Sequence, residues 1–131
     1  MKNLIESIWR NEGFRPRPYQ DHLGVWTFGV GFTYITEDES LYILRGRVNQ
    51  LYTWLDPDIS PLREAQQEVL VEMAYQLGYD GLKKFEKMWL AIQAGDCETA
   101  VKEMLDSKWA SQTPSRANRL AIKFYDGGRD E

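Results

Sequence analysis

The chain holds one cysteine and one histidine in 131 residues. A lone Cys97 permits no internal disulfide, and with His22 as its single possible imidazole partner it forms no recognisable zinc spacing. No metal and no cofactor is therefore expected. Cys97, in AGDCETA, reads as an unreactive residue in the first turn of a helix, and His22 as a hydrogen-bonding turn residue. No apolar run approaches the roughly 20 residues that span a bilayer. The opening MKNLIESIWRNEG lacks both an uninterrupted apolar core and a small-residue cleavage site, so neither a signal peptide nor membrane insertion is expected. Positive charge is also scarce. Sixteen Lys and Arg against twenty Asp and Glu leave a net charge of −4 and a pI near 5.1. That balance argues against a nucleic-acid partner held by phosphate contacts. No internal repeat or low-complexity segment is found.

What is present suits one folded domain over 1–131. Apolar residues make up 43% and aromatics 13%, and a chain of this length buries roughly two-thirds of its unfolded surface. The charge is uneven. Arg10, Arg15 and Arg17 crowd the start and Arg116 and Arg119 recur near the end, while acids gather at Glu37–Glu39 and between Asp56 and Glu72.

Leu4, Ile5, Ile8 and Trp9 repeat at helical spacing over 3–12, with Asn3 as a plausible N-cap and Gly13 as a stop. Pro16 and Pro18 enforce extended backbone from Phe14 to Tyr19, a short edge strand. A turn over 20–24 leads into a strand over 25–28, where alternation sets Thr27 opposite Trp26 and Phe28. Thr36 and Glu39 form a capping-box pattern before a helix over about 37–55, which Asp56-Pro57-Asp58 is expected to break. Ser60 with Pro61 predicts the start of a buried third helix carrying Leu62, Ala65, Val69, Met73 and Leu77. Asp80 predicts a helix bearing Leu82, Phe85, Trp89 and Ile92 up to Gly95. Asp96 caps the next, with Val101, Met104 and Leu105 inward, and Thr113-Pro114 opens the last, with Leu120, Ala121 and Phe124 inward. The fold class is α+β, mostly α, with one small hairpin.

Chemistry concentrates in EGFRPRPYQDHLGVWTFGVG, from Glu12 to Gly31. Two acids on either side of a hairpin can run general acid/base catalysis. Glu12 stands at a helix C-terminus, where the negative pole of the dipole disfavours further negative charge. A threonine hydroxyl both donates and accepts, so Thr27 can orient a water without ionising. Singly, each residue also reads as an ordinary surface acid, turn aspartate or strand threonine.

The run Glu12-Gly13-Phe14-Arg15, then Tyr19, Asp21, Gly24, Thr27 and Gly29-Val30-Gly31, resembles the active-site signature of the phage-type lysozymes (endolysins or muramidases, glycoside hydrolase family 24). The spacing of acid, eight residues, acid, five residues, threonine matches without a gap. Met73–Gly78 resembles the family's central helix, and Lys108-Trp109 with Gln112–Ala117 its closing motif. The resemblance implies a lysozyme-like fold: a hairpin lobe over about 13–36, an inter-lobe helix over about 37–55, and a helical lobe from 1–12 and 60–126. It implies hydrolysis of the β-1,4 bond between N-acetylmuramic acid and N-acetylglucosamine in peptidoglycan, with inversion. By position, Glu12 is the implied general acid, Asp21 the carboxylate that activates water, and Thr27 the residue that positions it. Arg116 takes the place of an arginine that pairs with the catalytic glutamate, and Gln76 that of a polar residue on the cleft floor. Tyr75 stands between core and cleft lining. Phe32, implied to bind substrate, occupies a position where many members carry histidine.

The link from Gly31 to the helix at 37 is shorter than in well-known members, which implies a reduced smaller lobe and fewer sugar contacts there. The acidic charge also departs from many basic phage lysozymes. Trp26, Trp54, Trp89 and Trp109 are available to stack on sugars, although core packing is expected for most. Two other readings stay open. A lytic transglycosylase cleaves the same bond without needing the Asp/Thr pair, and a wall-binding or virion module keeps the fold without catalysis. The implied partner is the glycan strand of peptidoglycan, and a monomer is expected. It would wait in the host cytoplasm for a holin pore to the periplasm, or travel in the virion.

Overall fold

In the computed structural model, which describes residues 1–129, the first helix is Lys2–Glu12 (α1). It begins before the expected cap. Met1 holds the N-cap position with no side-chain hydrogen bond, and Asn3 lies inside the first turn. Gly13 ends the helix as expected, with φ of 75° letting its N–H reach the Trp9 carbonyl at 2.9 Å. The chain then turns under a stacked pair of rings, Trp9 and Phe14, 5.7 Å apart between centroids.

Strands Arg15–Gln20 (β1) and Trp26–Gly29 (β2) pair antiparallel, with Tyr19 opposite Thr27 and Gln20 opposite Trp26. The ladder is irregular between Arg15 and Tyr19. Pro16 and Pro18 fall in that interval and have no N–H to donate. A capping box then opens the helix Glu37–Ile59 (α2). The Thr36 N–H donates to Glu39 Oε1 at 3.0 Å, and the Glu39 N–H donates to Thr36 Oγ1 at 3.1 Å.

The chain divides into two units, Met1–Ile43 and the residues from Leu44 onward, with the boundary inside α2. The expected end of this helix near 55 is wrong: it runs through Pro57 to Ile59. An interior proline costs about 3 kcal/mol. Leu55 and Ile59, one turn apart, are both sealed from solvent, and each such side chain contributes roughly 1.5–3 kcal/mol. Burial therefore outweighs the missing bond.

The next helix is Glu64–Leu77 (α3), not a helix begun at Pro61. Ser60-Pro61-Leu62 instead forms a turn, closed by the Leu62 N–H on the Ile59 carbonyl at 2.8 Å and by the Gln67 amide on the Leu62 carbonyl at 3.0 Å. Val69, Leu70, Val71, Met73 and Ala74 make α3 the expected buried helix. Periodicity missed Gln66, which is buried yet polar. Its Oε1 accepts the Arg63 N–H at 3.3 Å and its Nε2 donates to the Phe124 carbonyl at 3.4 Å.

The helix expected over 80–94 is two helices, Tyr79–Lys83 (α4) and Glu86–Gln93 (α5). Asp80 lies inside the first rather than capping it. The break is stabilised at the Leu82 carbonyl, which accepts both the Phe85 N–H at 3.1 Å and the Trp89 indole N–H at 3.0 Å. Asp96 caps Cys97–Leu105 (α6) as expected, accepting the Thr99 N–H at 3.1 Å. Met104 points inward, whereas Leu105 is exposed, against expectation. A five-residue helix, Lys108–Gln112 (α7), was not legible because it is too short to show a period; Ser107 Oγ caps it. Pro114–Gly127 (α8) follows as expected, burying Leu120, Ala121 and Phe124. Trp89 and Trp109 belong to the core; Trp26 and Trp54 are exposed.

Leu55→Ala is expected to cost about 2–5 kcal/mol in urea denaturation, because a fully enclosed leucine leaves a cavity. A loss below about 1 kcal/mol would contradict the burial that carries α2 through Pro57.

Candidate active site

Four of the expected site residues, Glu12, Asp21, Thr27 and Phe32, fall in the first unit, and backbone geometry fixes each one. Glu12 is the last residue of α1. Its carboxyl packs against Gly31: a methyl group built on Gly31 would sit 2.7 Å from Glu12 Cδ. Gly31 also has φ of +70°, a region that side chains other than glycine rarely adopt. From sequence, this glycine reads as a bend or a place for substrate to approach. The structure shows instead that the approaching group is the catalytic candidate itself.

Gly31 is held by a pair of bonds around it. Phe28 and Phe32 exchange N–H···O=C bonds of 2.9 Å each way, and their rings meet edge to face. Gly29 is spanned by that pair, and a methyl group there would meet the Phe32 ring at 2.6 Å. Phe32, expected to touch substrate, thus serves first to close the end of the hairpin. Thr27 precedes Phe28 directly on β2 and is the one buried residue of that strand. Its Oγ1 donates to the Val25 carbonyl at 3.0 Å. That bond uses the hydroxyl's only proton, so toward any other group it acts as an acceptor.

Asp21 closes the turn between the strands. Its N–H donates to the Val25 carbonyl, and Oδ1 accepts the N–H groups of Leu23 at 2.8 Å and Val25 at 2.9 Å. The bond from Val25, assisted by the one from Leu23 and by neighbouring His22, holds the carboxyl below the usual aspartate range. Asp21 is therefore ionised at neutral and mildly acidic pH. Both backbone donors fall on Oδ1, so Oδ2 is left for other chemistry.

The remaining expected residues lie in the second unit. Gln76 Oε1 accepts the Trp109 indole N–H at 2.9 Å, which ties α3 to α7. Arg116 Nε donates to Glu72 Oε2 at 3.0 Å, which ties α3 to α8. Glu72 and Gln76 stand one turn apart on α3, so the two ties share a face. Tyr75 is about half exposed. Sequence reading missed Glu72; its only signal was the i, i+4 spacing from Gln76. A cavity of about 620 Å³ in this unit, with Phe85, Met88, Trp109 and Gln112 in its walls, contains none of the expected site residues.

Cys97 sits at the start of α6 as expected, with burial pushing its thiol up and away from the reactive thiolate. Among the described residues, no group of three His, Cys, Asp or Glu side chains gathers as a metal site requires, and no helix is long and apolar enough to cross a membrane.

A family model described as phage lysozyme matches residues 10–121. The pre-baseplate central spike protein Gp5 of Enterobacteria phage T4 is 26% identical over 95% of this chain and 28% of its own length. That alignment runs over 160 positions, more than the chain's 131 residues, so the relative carries residues with no counterpart in this chain. A probable T4-type lysozyme 2 of Dictyostelium discoideum is 34% identical over 44% of the chain and 34% of its own length. An endolysin of Acyrthosiphon pisum secondary endosymbiont phage 1 is 27% identical over 79% of the chain and 74% of its own length. The chain thus spans about a third or less of the first two relatives and about three-quarters of the third.

Two outcomes test this geometry. Gly31→Ala should displace the Glu12 carboxyl, read as a shift of its resonance in NMR, while Gly24→Ala should leave it in place, because of these two glycines only Gly31 has a neighbour where a methyl group would stand; an unmoved resonance in Gly31→Ala would contradict the contact. The Asp21 carboxyl, followed by NMR, should titrate below the ordinary value of about 3.9. Its folded-state value lies below the unfolded one, so its contribution to stability is present above the unfolded value and lost as pH falls through the folded one. Replacing Asp21 with asparagine should therefore flatten the acid limb of the stability profile, and an unchanged limb would contradict the turn bonds.

Proposed function

This chain belongs to the phage lysozyme family of glycoside hydrolases, and from that membership we propose that it hydrolyses peptidoglycan. The bond cut is the β-1,4 link between N-acetylmuramic acid and N-acetylglucosamine, with inversion at the anomeric carbon. The observation that carries this reading is a single one. The family match covers Glu12, Asp21 and Thr27 in one unit, and two of them retain unused acceptor capacity.

Glu12 donates a proton to the leaving glycosidic oxygen. A water lies on the opposite face of the sugar, as inversion requires. One of its protons goes to Asp21 Oδ2, the carboxylate oxygen that the turn leaves unbonded. The other is held by Thr27 Oγ1, whose own proton is committed to Val25. Both water protons are then engaged, and a lone pair is left to face the anomeric carbon. As the new C–O bond forms, the C–O bond to the leaving sugar breaks, Asp21 gains one proton and Glu12 loses one.

Gln76, Tyr75, Arg116 and Phe32 are assigned to substrate binding. The relatives support two delivery routes. The endolysin favours release through the host envelope, and the spike protein favours carriage in the virion. A virion module that binds wall without cutting it is the second reading; the spike-protein match bears on the virion half of it alone.

A zymogram on purified peptidoglycan decides between them. Wild type should clear the gel, and Glu12→Gln, folded by circular dichroism, should lose at least about 100-fold. Full lysis by that variant would remove the acid assignment, and no clearing by wild type would favour the binding module. Reducing-end sugars are expected among the products; 1,6-anhydro sugars would mean a transglycosylase. The rate should fall on both the acid and alkaline sides of a mildly acidic to neutral optimum, and a rate rising steadily into alkali would contradict the paired roles.

A further inference from the structure

The first unit carries a groove of which the proposed mechanism uses Phe32 alone. It is about 400 Å³ and is lined by Phe32, Tyr34, Ile35, Asp38, Tyr42 and Ile43, with Glu39 at its edge. We propose that this groove is a saccharide subsite that takes an uncharged N-acetylated hexosamine of the glycan strand. The inference rests on the glycosidase reading above and extends it to ligand specificity.

Its chemistry is unusual for a protein surface. Tyr34 and Tyr42 are 76% and 80% exposed, and Phe32 about half. Neither phenol hydroxyl nor the Asp38 carboxylate has a hydrogen-bond partner among the described residues. Asp38 and Tyr42 stand one turn apart on α2, so a carboxylate and a phenol face the same stretch of groove. Aromatic rings pack on the C–H faces of a pyranose, while unengaged phenol and carboxylate oxygens meet its hydroxyl and amide donors. The volume falls within the range of small-molecule sites. Glu39 is different: its carboxylate is committed to Thr36, so it shapes the groove by charge alone.

Charge narrows the ligand. Among the described residues, two carboxylates and no cation line the groove, which disfavours phosphate groups, nucleic acid and anionic lipid. The same repulsion disfavours a sugar with a free lactyl carboxylate and favours neutral N-acetylglucosamine. Position supplies the occupant. Phe32 is bonded to Phe28, the neighbour of Thr27, and follows Gly31, on which Glu12 rests. Phe32 therefore joins the groove to the segment that carries Thr27 and receives Glu12. The chain also lacks residues that the spike-protein relative carries, and the aromatic groove supplies sugar contacts that a reduced lobe otherwise forgoes.

The test uses the full chain carrying Glu12→Gln, so that ligand binds without being cut, with chitohexaose as the uncharged probe in calorimetry. Adding Tyr34→Ala and Tyr42→Ala should weaken binding by about tenfold with no change in the urea midpoint, since both rings are exposed. Asp38→Asn, which cannot disturb packing, should weaken it by a smaller factor. In the parent, the ring resonances of Tyr34 and Tyr42 should shift on titration. Absence of chitohexaose binding in the parent, or unchanged affinity in the double variant, would overturn the proposal. So would a sedimentation dimer that the double variant dissociates, which would assign the groove to a second copy of the chain. Lysis retained by Glu12→Gln would sink the catalytic reading separately, without altering this binding readout.

Discussion

The Glu12 carboxyl rests against Gly31, in the space that a side chain there would fill, and the helix end and the hairpin of the first unit meet at that contact. Glu12 reaches it because Gly13 stops α1. Gly31 reaches it because Phe28 and Phe32 pinch the chain behind it. The strand that carries Phe28 also carries Thr27, and Val25 at its foot bonds both Thr27 and Asp21. A helix end, a turn and a strand are thus coupled through a few backbone bonds. Such coupling matters for acid/base chemistry, since a displacement of about 1 Å in a reacting group costs on the order of 100-fold in rate.

The second unit solves a different problem. Its core is built on α3, with Leu70 and Met73 fully enclosed alongside Leu55 and Phe124. On one face of α3, Glu72 and Gln76 hold α8 and α7 through Arg116 and Trp109. The Gln76 bond satisfies the indole N–H of a buried tryptophan, and loss of its acceptor would cost about 1–3 kcal/mol. Gln76, proposed for substrate contact, is therefore also a structural fastener, so Gln76→Ala changes packing as well as any contact with substrate.

Much of this was legible in the sequence, and the failures have physical causes. The hairpin, the Thr36–Glu39 capping box, the Asp96 cap and the buried α3 all announce themselves through local rules that the tertiary structure respects. The acid–acid–threonine spacing pointed to the three candidates, Glu12, Asp21 and Thr27, that fall in one unit. Pro57 misled because a propensity rule was outweighed by the burial of Leu55 and Ile59, which lies outside any short window. The Ser60-Pro61 start failed because side chains of Gln66 and Gln67 satisfy that backbone instead. Trp89 split a helix through an indole bond that no periodicity encodes. Gly31 was marked as special from sequence, but its neighbour Glu12 lies 19 positions away and is found only in three dimensions.

In the proposed mechanism Asp21 and Thr27 hold a water opposite the proton donated by Glu12, and the anomeric form of the first product reports on that water. Proton NMR of soluble, uncrosslinked glycan strands, recorded before mutarotation, should show the α-anomer at the new reducing end. A β-anomer appearing first would mean a double displacement, and a 1,6-anhydro end would mean attack by the substrate's own hydroxyl. Either result would contradict direct attack by a water held between Asp21 and Thr27.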